Sequence, residues 1–203
     1  AANIAEHGSG QIADQLDGAP TQNDKSLFRF RLVNATVGDL TVDQVVLQLS
    51  SVTGIADTDL TDLRINNGTI DVSTGGLASI AAGSGTITFA GDFTLPAGAT
   101  VDYTVTGDVA SVVKNDTLTV GLPTGNVTLV AGAVGGTAPT GVTHLADDAA
   151  TLGSHALGQV VDQFDSAPSK NDVALFRLQL VNTTGVALTV DQVQFQLSAI
   201  TGL

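Results

Sequence analysis

The chain has 203 residues, of which 20 are Asp or Glu and only 7 Lys or Arg, for a net charge of −13 at neutral pH. A surface this acidic repels nucleic acid and anionic membranes, so neither is expected as a partner. The longest apolar stretch, around Val127 to Val134, is far too short to insert in a bilayer.

Cys and Met are both absent, which leaves no disulfide framework or thiol chemistry and suggests that residue 1 follows processing or lies inside a longer precursor. Glu6 is the only glutamate, so nearly all the acid is Asp, a residue of turns and caps rather than helix interiors. With 23 Gly and abundant Thr and Val, the composition points to an all-β fold.

Taken in chain order, Leu27 to Val33 alternates strictly, with Phe28, Phe30 and Leu32 on one face and Arg29 and Arg31 on the other, as in a half-buried strand. After a loop from Asn34 to Asp39, a longer strand covers Leu40 to Ser51. Val45, Leu47 and Leu49 point inward and Gln44, Val46 and Gln48 outward; Leu40 and Val42 have the opposite parity, so a bulge is expected near Asp43-Gln44. Leu63 to Asn66 and Thr69 to Val72 flank Asn67-Gly68, a strong hairpin signal. Residues Leu77 to Ala82 fit a short helix or a loop. Gly85 to Ala90, Phe93 to Leu95, Val101 to Thr106, Asp116 to Leu122 and Val127 to Ala131 read as further strands. Short strands separated by turn chemistry, with no 3.6-residue period, define an antiparallel β-sandwich.

The opening of the chain is written twice. Gly10-Gln11-Ile12-Ala13-Asp14-Gln15 maps onto Gly158-Gln159-Val160-Val161-Asp162-Gln163, an offset of 148 that holds without a gap from Ala1/Ala149 to Ile55/Leu203, and roughly half the pairs are identical. The expected organisation is a complete sandwich over 1–131, a Gly/Ala/Thr-rich connection over 132–157, and the first strands of a second sandwich over 158–203. In the second copy Phe176, Leu178 and Leu180, then Val193, Phe195 and Leu197, take the inward positions, and Gln192, Gln194 and Gln196 the outward ones. Pairs that change polarity, such as Arg31/Gln179 and Val46/Gln194, fall at outward positions, while the inward ones stay apolar.

The runs Phe-Arg-Phe-Arg-Leu-Val-Asn (28–34), Leu-Thr-Val-Asp-Gln-Val (40–45) and Phe-Thr-Leu-Pro-Ala-Gly-Ala-Thr-Val-Asp-Tyr-Thr-Val (93–105) resemble the immunoglobulin-like domains repeated along prokaryotic cell-surface and extracellular-fibre proteins. The resemblance covers most of 10–122 and again 158–203. It implies a sandwich and an extracellular or cell-surface location, and carries over no catalytic or ligand residue.

Several residues are of types that carry chemistry elsewhere. No Gly-x-Ser-x-Gly elbow is present; His7 and His155 are equivalent in the two copies and His144 lies in the connection, so all three read as structural and no enzyme is expected. Asp57, Asp59 and Asp62 offer three carboxylates within six residues, a Ca²⁺ site in outline; alternatively Asp57 or Asp59 caps a single helical turn. Asp14, Asp17, Asn23 and Asp24, recurring as Asp162, Asp165, Asn171 and Asp172, read as Asx turns or as Ca²⁺ ligands between domains. No other cofactor is implied. Asn34, Asn67, Asn115, Asn126 and Asn182 each open an N-glycosylation triplet. The outward glutamines, Gln44 and Gln48 with Gln192, Gln194 and Gln196, form either a solvated face or an amide contact with a neighbouring sheet.

One whole repeat plus about a third of the next reads as a window on a longer array or as a subunit with an unfinished domain, the former being preferred. Either way, the apolar half-sheets of the second copy need other strands to cover them. The expectation is a self-associating structural subunit or repeat segment of an extracellular filament, sheath or surface layer. The alternative is an adhesin stalk or a carbohydrate-binding surface repeat, for which the scarcity of aromatics (no Trp, and Tyr103 the only Tyr) is unfavourable.

Overall fold

The alternating segments form strands, and no α-helix occurs among the described residues, which in this computed structural model are 1–19, 21–160, 172–183 and 187–198. They fall into two units, Ala1–Asp148 and Ala149–Leu203.

The first unit runs β1 (Ala2–Ala5), β2 (Thr21–Asn34), β3 (Leu40–Thr53), β4 (Leu60–Asn66), β5 (Asp71–Thr74), β6 (Leu77–Ala81), β7 (Ser84–Leu95), β8 (Thr100–Ala110), β9 (Thr117–Gly121), β10 (Val127–Leu129), β11 (Val134–Gly136) and β12 (Val142–Leu145). One sheet has the order β11-β1-β2-β8-β4-β5. The other is β12-β9-β3-β7-β6, with β10 also pairing β3. Their inner faces meet in one apolar core: Phe28, Phe30 and Leu32 from β2 and Val45, Leu47 and Leu49 from β3 are all at most 2% exposed, as the alternation requires. Tyr103 stacks on Phe30 at 5.1 Å between centroids and tilts against Phe93 at 5.4 Å. This is an all-β sandwich.

The parity change in β3 is an irregularity at Asp43. Pairing with β7 steps from Val42↔Phe93 to Gln44↔Ala90, and pairing with β10 skips the same residue. The two short strands expected over Gly85 to Leu95 are one bulged strand, because β3 continues beside both halves. Leu77–Ala81 is neither helix nor loop but edge strand β6, held by β7 from Leu77↔Thr88 to Ala81↔Ser84. The Asn67-Gly68 hairpin forms with a longer loop: its second strand begins at Asp71, and the Asn67 Oδ1 accepts the Thr69 and Ile70 N–H groups.

The largest departure is the stretch expected to be a connection from residue 132. β11 runs parallel to β1, and β12 pairs with β9 from Val142↔Val120 to Leu145↔Thr117, so the first unit ends at Asp148, not 131. Strands of three and four residues are too short to show a period. Gly136, a residue that flexible-linker composition would claim, is required here by contact: its φ is +96° and an added Cβ would lie 2.2 Å from the Ile4 carbonyl oxygen.

The second unit contains β13 (Ala150–Gly153) and β14 (Gln179–Asn182), paired Ala150↔Asn182 to Gly153↔Gln179. Subtracting 148 gives the β1–β2 pairing Ala2↔Asn34 to Ala5↔Arg31. The start of this unit is therefore Ala149, not 158. The strand expected through Gln192 to Leu197 is absent: the described residues there carry no ladder.

Candidate functional site

Repetition extends to side chains. In the first unit the Gln11 amide lies beside β2 like a strand, Nε2 donating to the Arg29 carbonyl at 2.6 Å and Oε1 accepting the Arg29 N–H at 2.9 Å. Gln159 makes the same two bonds to Arg177, at 2.7 and 3.2 Å. His7 Nδ1 accepts the Ser9 N–H and His155 Nδ1 the Leu157 N–H, so these histidines shape a turn in each copy. The sequence marked the recurrence of Gln11 and His7 but not what they bind, since their partners are backbone groups.

What differs between the copies is burial. The core set of the first unit reappears as Phe176 at 56% exposure, Leu180 at 45%, Val193 and Phe195 at 54% and Leu197 at 75%, with Leu178 half-buried. Phe176 and Phe195 touch edge to face at 5.4 Å, so the two segments do meet as the layers of a sandwich begin to. At roughly 100 Å² of apolar surface left wet on each of five side chains, the unburied free energy is on the order of 10 kcal/mol. That is comparable to the whole stability of a domain.

The acidic residues are arranged otherwise than expected. Asp57 to Asp59 form a single 3-10 turn: Asp59 Oδ2 accepts the Ala56 N–H at 2.8 Å and Asp57 Oδ1 the Thr58 N–H at 2.9 Å. These two carboxylates are occupied by the turn and do not converge with Asp62 in the candidate metal group. Instead Asp62 meets Asp24 and Asp108, their oxygens within 4.8 Å of one another across β2, β8 and β4. Asp24 and Asp62 sit at ladder irregularities with φ of +54° and +47°. A cation is already supplied, however: Arg64 pairs with Asp24, with Asp62 at 3.1 Å and with Asp71 at 3.7 Å. In the other cluster, Asp17 Oδ1 accepts the Ala19 N–H at 2.8 Å, an Asx turn, and Oδ2 lies 3.6 Å from Lys25. Asp14 is exposed, as are Asn23 and Asp24. Asp162, Asp165 and Asn171 lie outside the described residues; Asp172 repeats the φ of Asp24 at +54°.

The glycosylation candidates separate by burial. Asn34 is 0% exposed and its Nδ2 donates to the carbonyls of Gly38 (2.9 Å), Leu95 (3.1 Å) and Pro96 (3.0 Å), while Oδ1 accepts from the Thr36 N–H and hydroxyl. A glycan on that nitrogen is incompatible with this fold. The Asn126 Nδ2 is likewise committed, to the Val46 carbonyl at 2.9 Å. Asn115 and Asn182 are exposed and Asn67 half-buried in its hairpin loop.

His144 is fully buried on β12. Its Nδ1 accepts the Gln15 N–H at 3.1 Å and Nε2 lies 2.9 Å from the Leu27 carbonyl, which sets the neutral tautomer with Nε2 as donor. Burial pushes its pKa below the usual value, partly offset by the Leu27 bond and by Asp14. On the outer face of the first sheet Arg31 forms a two-pronged pair with Asp102 at 2.8 and 2.9 Å, and this hydrogen bond holds the Asp102 carboxyl below its usual range.

The outer face of the second sheet is different in kind. In register across its strands lie Gly121, Gln48, Thr86 and Ser79. On one side of that row lie Thr143, Thr119 and Ser50, and on the other Val46, Thr88 and Leu77. An open cleft of about 660 Å³ crosses it where Gly121 lacks a side chain beside Gln48, Ser50 and Thr86. The cleft lining contains no charged residue.

No protein-family model matches the chain, and no curated protein matches it. Among the described residues no helix is long and apolar enough to cross a membrane.

Proposed function

We propose that this chain is a structural repeat segment of an extracellular filament, sheath or surface layer, built of immunoglobulin-like sandwich units that are completed along the array or between subunits. The role is non-catalytic, the partner is the same kind of unit, and nucleic acid is not a ligand. The observation that carries this reading is the contrast between Phe28, Phe30, Leu32, Val45, Leu47 and Leu49, all buried, and their counterparts at the 148-residue offset, which are half to three-quarters exposed except for half-buried Leu178. A segment that repeats the register, the glutamine lock and the apolar face of a sandwich, with that face exposed among the described residues, is suited to receive covering strands from a neighbouring unit. Head-to-tail completion of this kind propagates. In the first unit the carbohydrate-platform alternative is weakened by burial, since Tyr103, Phe28, Phe30 and Phe89 have at most 1% of their surface free for stacking on a sugar; the exposed Phe176 and Phe195 lie on the second unit's inward-parity face.

The test compares hydrogen exchange of residues 172–198 in the 203-residue chain with that in a chain where residues 56–148 are repeated after Leu203. Completion predicts fast exchange in the first and protection matching Thr21–Thr53 in the second, with electron microscopy of the native material showing a fibre or lattice spaced by one unit. A second unit already protected and monomeric in the 203-residue chain refutes the reading.

A further inference from the structure

We propose that the uncharged outer face of the β12-β9-β3-β7-β6 sheet is the surface through which a second copy of this chain packs, face to face, around a two-fold axis. The inference rests on the assembling role above and names the lateral contact of that assembly. Its starting point is where the charge lies. The outer face of the first sheet carries Arg29, Arg31, Arg64, Asp102 and Asp108, several of them in ion pairs. The three register rows of the second sheet around Gln48 carry none, and the carboxylates on those strands, Asp43 and Asp92, stand apart at the β3–β7 bulge.

In a chain of net charge −13, two copies repel through most orientations, and a charge-free face is the approach along which that repulsion is least. The second copy follows the same rule: Gln192, Gln194 and Gln196 occupy the places of Gln44, Val46 and Gln48, so even the one apolar outward residue is exchanged for a neutral amide and not for a charge.

Shape agrees with a self-complementary contact. Leu77 is 73% exposed on β6, on the same side of the strand as Ser79, which lines the cleft, and stands one register row from Thr86. A knob and a hole on one face allow a two-fold partner to seat each Leu77 in the other's cleft. Three to four rows about 6.7 Å apart on four strands about 4.8 Å apart give a footprint of roughly 400 Å². Two stacked copies then bury roughly 800 Å² in all, short of the roughly 1,000 Å² that a specific interface clears by itself. One such contact is weak in isolation and becomes strong only when many act together along an array.

The experiment measures self-association of the full chain by sedimentation equilibrium against concentration and salt, with two variants that add the same charge to opposite faces. Gln48→Glu/Thr88→Glu is expected to weaken association at least ~10-fold, and Thr104→Glu/Thr106→Glu on the first sheet to change it less than ~2-fold. Raising salt should strengthen association of the parent chain, because repulsion between acidic copies is screened while the contact itself has no charge to screen. Equal effects of the two variants, no effect of either, weakening by salt, or a parent chain monomeric at every concentration would each overturn the proposal. Completion of the second unit is separable from it: unbundled single fibres formed by Gln48→Glu/Thr88→Glu would keep the filament reading and confirm the lateral face, whereas lateral packing unchanged in that variant sinks this inference alone.

Discussion

Replacing Asn34 with Ala tests whether the first unit is closed by the contacts described and the second is not. The buried amide ties the β2–β3 loop to the β7–β8 turn: two Nδ2 hydrogens serve three carbonyls, and Oδ1 holds the Thr36 N–H and hydroxyl. Deleting it strands the buried Leu95 carbonyl and breaks the part-buried bonds to Gly38 and Pro96. At about 1 kcal/mol net per lost bond and 1–3 kcal/mol for a buried group left unsatisfied, the cost is about 3 kcal/mol. For a unit of this size, at about 2–4 °C per kcal/mol, melting should fall by about 6–12 °C. Asn34→Asp should cost at least as much, since it keeps the acceptor, loses the donors and places a carboxylate against three carbonyl oxygens. The comparison is Asn182→Ala at the equivalent position, where the side chain is exposed in the second unit. Exposed there, it should cost clearly less than Asn34→Ala in the 203-residue chain. Calorimetry or urea titration of the three variants decides it. Equal losses at Asn34 and Asn182, or a loss at Asn34 below about 1 kcal/mol, would refute the account of how the first unit is closed.

Protonation of His144 should loosen the seam between β12, the 14–19 loop and β2. The folded pKa lies below the unfolded 6.5, because burial favours the neutral ring that accepts from Gln15 and donates to Leu27. The unfolded chain therefore takes up the proton first, so this contribution is complete above pH 6.5 and is lost as pH falls below it toward the folded value. Urea midpoints between pH 7.5 and 5 should drop less for His144→Gln than for the parent chain; parallel curves would contradict the assignment. Gly54→Ala combines a φ of +73° with an added Cβ only 1.7 Å from Asp116 Oδ1, a carboxylate 4% exposed that also accepts the Val113 N–H. It should cost about 2 kcal/mol or more by chemical denaturation, and a neutral result would mean that the Asp116 turn is not held as described.

Much of the first unit was legible where one face of a strand is buried and the other wet. Phe28 to Leu32 and Val45 to Leu49 alternate because water is on one side only, and the parity change at Asp43 marks a bulge in the sequence itself. Legibility failed where neighbours decide. Leu77–Ala81 lacks a signature of its own and is a strand because β7 offers it a ladder, while Val134–Gly136 and Val142–Leu145 are too short to carry a period. The acidic residues misled for a related reason. Asp57, Asp59 and Asp62 are close in sequence, but the carboxylates that converge come from positions 24, 62 and 108, on three adjacent strands. Spacing along a chain reports on ligand geometry only when one loop supplies the ligands.

By itself the sequence determined that the chain is all-β, that its opening recurs at an offset of 148, and which side chains seek an interior, because alternation and repetition are local properties of the text. The tertiary structure alone decided which of those side chains find one. Burial requires a second layer, and the strands that provide it for Phe30 and Leu47 come from far along the first unit, while among the described residues Phe195 and Leu197 stay 54% and 75% exposed. It also decided which asparagines and aspartates are spent on holding loops and which sheet face is left without charge, since those depend on registers between strands that no single segment encodes.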